Sequence, residues 1–357
     1  MVKFFSAEFD WLMLKRDVVK IIDESIKTTD YLFGKHRDMF VDKLSKFLGC
    51  RYVLLTKSGT QALEIILKAY GIGNGDKVIT TPLTFIATIS AIKSVGAEPV
   101  FVDVKENTWN LDETKIEEKI DKNVKAIMCV DIFGNPCNYD KLLEISKKYN
   151  IKLIADSCQS LCAMYNGKKI GNIADTTCFS FYPTKPFGGL GEGGAITTND
   201  DSVYKLARSL LDHGSENDDC VRDGTNGAFD MFQGVFLNEK MKYIDRILPK
   251  RNEIMSAYKE MKGVRFQEQE VCAESIWYRV QAYVIDEYNM NLIKEIFETD
   301  DLYSKDVCDN TLYKKYRDEM KVSKDIVSHT ISLPMYTYIN INDLKKLINE
   351  YNKKARI

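Results

Sequence analysis

Apolar residues at 62, 63, 66, 67 and 70 repeat with the spacing of one buried helix face. They follow the short apolar run Arg51-Tyr52-Val53-Leu54-Leu55 and the polar turn Ser58-Gly59-Thr60, so this stretch reads as strand, turn and helix. Glycines at 71, 73 and 75 end the helix and lead into a strand over 77–80. The alternation continues with a helix over 85–94, a strand over 99–102 and a polar helix near 112–120. A strand over 126–130, a helix over 139–149 and a strand over 151–155 follow. Upstream, Val18, Val19, Ile21 and Ile22 predict a helix near the start of the chain. Short strands separated by helical segments imply an α/β architecture, a mostly parallel sheet covered on both faces.

Beyond residue 240 the pattern changes. Lys250-Arg251-Asn252 opens a helix, residues 277–284 alternate like an antiparallel strand, and residues 341–348 form an amphipathic helix. The simplest division is a large domain over 1–245 and a smaller α+β domain over 246–357. The length of 357 residues agrees with two domains, at roughly 150 residues each.

Composition then removes several classes of function. With 45% hydrophobic and 29% charged residues the chain is an ordinary globular protein, neither disordered nor fibrous. The net charge is −2 without a long block of one sign, so no basic field marks a nucleic-acid partner. No stretch reaches the roughly 20 apolar residues that span a bilayer. The start, Met1-Val2-Lys3-Phe4-Phe5, soon meets Glu8 and Asp10 and does not resemble a signal peptide. Nine cysteines, odd in number and scattered through apolar runs, predict reduced thiols and a cytoplasmic location. Cys158 and Cys162 lack the second pair that a metal site needs, so no metal is expected.

Three segments fall at the carboxyl ends of predicted strands, where open parallel sheets bind ligands. The turn Ser58-Gly59-Thr60-Gln61 suits a phosphate through helix-terminal amides, and taken alone it reads equally as a helix cap. Asp156 directly follows the apolar run over 151–155, where a carboxylate is either functional or an N-cap. Lys185 follows Cys178-Phe179-Ser180-Phe181-Tyr182-Pro183-Thr184 and precedes a glycine-rich stretch over 188–194. A single lysine against so many glycines sits where backbone approaches a ligand closely.

Together these residues describe one cofactor. Pyridoxal 5′-phosphate requires an amine for a Schiff base, a carboxylate at its pyridinium nitrogen and donors for its phosphate. Lys185, Asp156 and the turn over 58–60 supply these, with Ser180 a further phosphate donor. Phe85, in Thr84-Phe85-Ile86-Ala87-Thr88, reads either as a cover for one face of the ring or as a core residue. Tyr182 is placed to line the substrate pocket.

At this point the chain resembles a known family, the DegT/StrS-type sugar aminotransferases within the fold-type-I pyridoxal-phosphate enzymes. The resemblance is carried by Lys57-Ser58-Gly59-Thr60-Gln61-Ala62-Leu63, Thr84-Phe85-Ile86-Ala87-Thr88, Ala155-Asp156-Ser157-Cys158-Gln159 and Phe179-Ser180-Phe181-Tyr182-Pro183-Thr184-Lys185. Glu192-Gly193-Gly194, Gly224-Thr225-Asn226 and Ser332-Leu333-Pro334-Met335-Tyr336 extend it over nearly the whole chain. It implies a large, mostly parallel α/β/α sandwich with a small C-terminal α+β domain. By position it implies Lys185 as the Schiff-base lysine and Asp156 as the pyridinium partner. Gln159 would contact the cofactor's 3-hydroxyl, and Gly59, Thr60 and Ser180 its phosphate. Asn226 would reach the phosphate of a neighbouring subunit, which implies a homodimer with shared active sites.

The resemblance further implies transfer of an amino group from an amino acid, glutamate being the expected donor, to a keto group on a nucleotide-linked sugar. Departures from the family bear on the acceptor. Leu161 stands where a His is usual, Cys162 where a Gly is common, and Gly227 and Ala228 replace an aromatic residue and an Arg. These positions are expected near substrate and subunit contacts. The segment between Trp277 and Ser332 is also short for the family. A small phosphorylated ketone is therefore an alternative acceptor. A cofactor-binding regulator of nucleic acid is a second alternative, opposed by the balanced charge. The dehydratases of the family carry His in place of the lysine, whereas Lys185 is retained here.

Overall fold

The computed structural model describes residues 2–28, 34–301 and 307–356. Its central sheet begins with β1 (Tyr52–Thr56), β2 (Lys77–Thr80), β3 (Glu98–Phe101), β4 (Val124–Val130) and β5 (Lys152–Asp156). A short hairpin, β6 (Met164–Tyr165) and β7 (Lys168–Lys169), precedes the last two strands of the sheet, β8 (Thr176–Ser180) and β9 (Gly194–Thr198). The strand order is β1-β9-β8-β5-β4-β2-β3. β9 runs antiparallel to both of its neighbours, and every other pairing in the sheet is parallel. The carboxyl ends of six strands therefore share one edge, which carries Thr56, Thr80, Val130, Asp156 and Ser180.

Helices cover both faces, as the unbroken apolar strands require. α3 (Gly59–Ala69), α4 (Ala87–Ser94) and α6 (Asp201–Leu211) bury Ile66, Ile92 and Ala207 in one apolar layer. α1 (Glu8–Lys27), α2 (Lys35–Leu48), α5 (Tyr139–Tyr149) and α7 (Met231–Lys240) bury Leu14, Phe40, Leu142 and Phe236 in the other. α5 has legible ends: Asn138 caps its first turn and Asn150 leaves it in the left-handed conformation. A hairpin of β10 (Ser215–Glu216) and β11 (Asp219–Cys220) follows α6.

The remaining chain forms a second core. α8 (Ile247–Tyr258), α9 (Glu287–Ile296), α10 (Lys321–His329) and α11 (Ile341–Lys354) accompany a three-stranded antiparallel sheet. That sheet has the order β12-β14-β15, from β12 (Arg265–Phe266), β14 (Val280–Tyr283) and β15 (Thr330–Leu333). Ile254, Tyr258, Ile293, Leu333 and Ile348 pack together here, joined by Val2 from the start of the chain. β13 (Ala273–Glu274) instead pairs with β6.

Three local expectations are revised. The polar helix near 112–120 is two 3₁₀ turns, Glu113–Lys115 and Glu117–Lys119. Ile116 is its single deeply buried anchor, so no continuous apolar face sustains an α-helix. α8 starts at Ile247, because Pro249 is tolerated in a first turn that lacks intrahelical N–H partners. β14 starts only at Val280, because Trp277 is left-handed, at φ +50°.

Candidate active site

Asp156 ends β5 and is 6% exposed. Its Oδ2 accepts a hydrogen bond from Thr88 Oγ1 at 2.7 Å, and Oδ1 accepts from the Cys158 amide at 3.3 Å. Thr88 lies in the first turn of α4, and its hydroxyl is 2.7 Å from that of Thr84. Among the described residues this buried carboxylate has no ion-pair partner, an arrangement that favours a cationic ligand. Burial, and after it the Asp156 carboxylate, push the neighbouring Cys158 and Cys178 thiols well above their ordinary range, so both stay neutral.

Lys185 sits in a tight loop after β8. Its amide donates to Tyr182 O at 2.9 Å, its carbonyl accepts from Gly188 at 2.9 Å, and Gly189 donates to Phe181 O at 2.7 Å. α7 fixes the glycine stretch from outside. Gln233 accepts from the Leu190 amide at 2.8 Å and donates to Glu192 O at 2.9 Å. Lys240 donates to Gly188 O at 3.1 Å and pairs with Asp10 at 2.8 Å, both largely shielded from water. Lys185 itself has no ion-pair partner among the described residues, and its ammonium lies 4.4 Å from the centre of the Tyr278 ring.

The turn before α3 is a helix cap and more. Ser58 Oγ accepts from the Gln61 amide at 3.1 Å, which satisfies one of the four N-terminal amides. Gly59 begins the helix against the carboxyl ends of two other strands. A Cβ at Gly59 would stand 2.6 Å from Cys158 Sγ and 3.0 Å from Ser180 Cβ, so only glycine permits this approach. Gly59, Thr60, Ser180 and the loop after Asp156 are thereby brought together.

That loop is anchored beneath by Asp131, which is fully buried. Its carboxylate accepts from Ser157 at 2.6 Å, Ser160 at 2.7 Å, Tyr139 at 2.8 Å and the Cys137 amide at 2.9 Å. Burial raises its pKa, and these donors offset only part of the rise. Gln159, 4% exposed, accepts from the Phe133 amide at 2.8 Å, which orients its side-chain amide.

Phe85 and Tyr182 are 49% and 46% exposed, so neither is a core residue in the isolated chain. Asn226 is exposed too: its Oδ1 accepts from Ala228, and its carbonyl accepts from Gln61 at 3.4 Å. Its side chain does not join the cluster within its own chain. Gly227 and Ala228 border a cavity of about 630 Å³ next to Asn226. Leu161 and Cys162, expected near substrate contacts, are instead buried in the main core. Cys162 takes φ +82°, which explains why a glycine would suit that position.

Thr88 lies within the Thr84–Thr88 motif, yet nothing local in the sequence marks it as the partner of Asp156. Asp131, Gln233, Lys240 and Tyr278 are not legible either: the contacts that tie them to Ser157, Leu190, Gly188 and Lys185 cross 26 to 93 residues of chain.

A seven-stranded sheet of this order, with a lysine and, among the described residues, a carboxylate without an ion-pair partner at its carboxyl edge, defines a fold-type-I transferase. A family model described as the DegT/DnrJ/EryC1/StrS aminotransferase family matches residues 13–351. The chain belongs to this family. It is 31% identical over 360 residues to the dTDP-3-amino-3,6-dideoxy-alpha-D-galactopyranose transaminase of Aneurinibacillus thermoaerophilus, covering 99% of each. A solved DegT/DnrJ/EryC1/StrS aminotransferase from Brucella abortus superposes with a TM-score of 0.93 at 28% identity, over 99% of each chain. NtdA from Bacillus subtilis, solved with bound cofactor PMP, gives a TM-score of 0.85 at 26% identity, over 95% of this chain and 82% of that one. No helix among the described residues is long and apolar enough to cross a membrane.

Proposed function

We propose that this aminotransferase uses pyridoxal 5′-phosphate to move an amino group from an amino acid, glutamate in our reading, to the keto group of a nucleotide-linked sugar. The observation that carries the proposal is the buried Asp156 carboxylate, held by Thr88 and lacking an ion-pair partner among the described residues, at the sheet edge that also bears Lys185. The end-to-end match to a dTDP-sugar transaminase supports the acceptor class.

The residues present fit the cofactor. The tight seat of Gly59 against Cys158 and Ser180 brings α3 amides and a hydroxyl together, a donor set suited to a phosphate. Once bound, pyridoxal phosphate supplies an electron-accepting ring for the bond broken at the donor's α-carbon. In this reading Asp156 would keep a proton on the pyridine nitrogen, and the Thr88 hydroxyl orients that carboxylate. Gly59, Thr60 and Ser180 bind the phosphate, while Gln159, oriented by Phe133, serves the 3-hydroxyl. Phe85 covers one ring face and Tyr182 borders the acceptor. Lys185 would carry the cofactor and, once free, would move a proton from the donor's α-carbon to the cofactor in the first half-reaction, and from the aminated cofactor to the acceptor's carbon in the second.

We also propose a homodimer in which Asn226 serves the other subunit's site. Its exposure, and the exposed Phe85, Tyr182, Leu190 and Phe232, leave polar and apolar groups for a second copy to cover. No disulfide joins the cysteines among the described residues, in keeping with the reducing, cytoplasmic setting proposed for the chain.

The test is to aminate the bound cofactor with glutamate, remove the excess, and follow its return with added ketones. Nucleotide-linked ketosugars should restore the original spectrum. Return with small keto-phosphates alone would overturn the assigned acceptor.

A further inference from the structure

Tyr278 arrives at Lys185 from the far end of the chain. It is 6% exposed, the Lys185 ammonium lies 4.4 Å from its ring centre, and its hydroxyl is 3.2 Å from Thr184 Oγ1. Its backbone is held on both sides. The amide donates to Phe133 O at 2.8 Å, and Arg251 donates to Trp277 O at 2.8 Å and approaches Tyr278 O at 3.5 Å. Phe133 and Trp277 both adopt left-handed backbone, at φ +57° and +50°, which aromatic residues take up only where their surroundings impose it. Between them Gly134 lies so close that a Cβ would stand 2.9 Å from Tyr278 N and 3.0 Å from Gln159 O. Phe133 thus orients Gln159 through its amide and seats Tyr278 through its carbonyl.

The charges around the phenol are few. Lys185 and Arg279 face it, Thr184 meets its hydroxyl, and Arg251 stands behind its backbone. Arg279 is itself paired with Asp300 at 2.7 Å. Burial alone would push the Tyr278 phenol up, but Lys185, then Arg279 and the Thr184 hydrogen bond, bring it down to about 8.

We infer that Tyr278 is a positioning residue for Lys185, whose ring face holds the ε-ammonium whenever the lysine is not joined to the cofactor. A lysine side chain is flexible and strongly hydrated. Without such a seat its ammonium would turn to solvent or collapse onto Asp156, and the carboxylate would then be blocked for the pyridine nitrogen. The ring attracts the cation by its quadrupole while offering no proton acceptor on its face. The consequence for turnover rests on the proposed role of Lys185; the contact itself belongs to the cofactor-free chain.

Cofactor-free protein therefore provides the test. Lys185 acylation by an amine-selective reagent at fixed pH is read by peptide mapping in wild type, Tyr278→Phe and Tyr278→Leu. The Phe variant keeps the ring and should react within about twofold of wild type. The Leu variant should react about tenfold faster, within the range of a desolvated cation–ring contact. In parallel, tyrosinate absorbance should show one group titrating near 8. This group should be absent from Tyr278→Phe and shifted upward in Lys185→Met. Equal acylation in folded wild type and Leu variant, or a tyrosinate titration unmoved by Lys185→Met, would overturn the inference. Cofactor attachment to a different lysine would sink the functional proposal and leave these readouts standing.

Discussion

Thr88 on α4 donates its hydroxyl to Asp156 at the end of β5, 2.7 Å away and out of contact with water. A turn from one strand-to-helix unit thus governs the carboxylate of another. Thr88→Val keeps the shape and removes the donor, leaving a buried carboxylate oxygen short of one hydrogen bond. Turnover should fall about tenfold and cofactor dissociation should quicken, whereas Thr88→Ser should stay close to wild type. Equal kinetics for the Val and Ser variants would contradict the role of the hydroxyl.

Asp156→Asn tests the charge itself. A neutral amide cannot keep the pyridine nitrogen protonated, so turnover should drop on the order of a hundredfold or more. Binding of the cofactor phosphate should persist, since Gly59, Thr60 and Ser180 are unchanged, and equilibrium dialysis measures it. Near-normal turnover would rule out the electron-accepting role of the ring.

Asp131 makes a prediction about stability. It is the shared acceptor of Ser157, Ser160, Tyr139 and the Cys137 amide beneath the loop that carries Asp156 and Gln159. Asp131→Ala strands these buried donors, and stability should fall by about 3 kcal/mol. Urea unfolding would show this as a lower midpoint with an unchanged slope. A midpoint equal to wild type would mean that the hydroxyls find other partners.

Shared sites can be tested by mixing subunits. A Lys185→Ala chain keeps Asn226, while an Asn226→Asp chain keeps Lys185 but repels a phosphate. Heterodimers gather both faults in one site and leave the other whole, so activity should rise above both parents. Proven subunit exchange without recovered activity would exclude the shared-site arrangement.

Much of this architecture is written locally. The β-α alternation from 52 to 156 is legible because buried strands are short apolar runs and each helix buries one face. α2 is hard to read from the sequence although Phe40, Leu44 and Leu48 repeat every fourth residue, because charges surround them. Lys185, Asp156 and Gly59 can be named because each lies at the end of a strand or within five residues beyond it. Tyr278, Gln233 and Lys240 cannot, since their contacts with the lysine and its loop exist only after the sheet and the second core have assembled. Leu161 and Cys162 mark the opposite limit: position in a motif suggested a substrate contact, and burial placed both in the core.

The attachment of the cofactor to Lys185 is the claim on which the rest depends. Holoenzyme reduced with borohydride, digested and mapped by mass spectrometry should carry the cofactor-derived mass on the peptide containing Lys185, with fragment ions placing it on that residue. A tag on any other lysine, or no tag in protein that has bound the cofactor, would contradict the account.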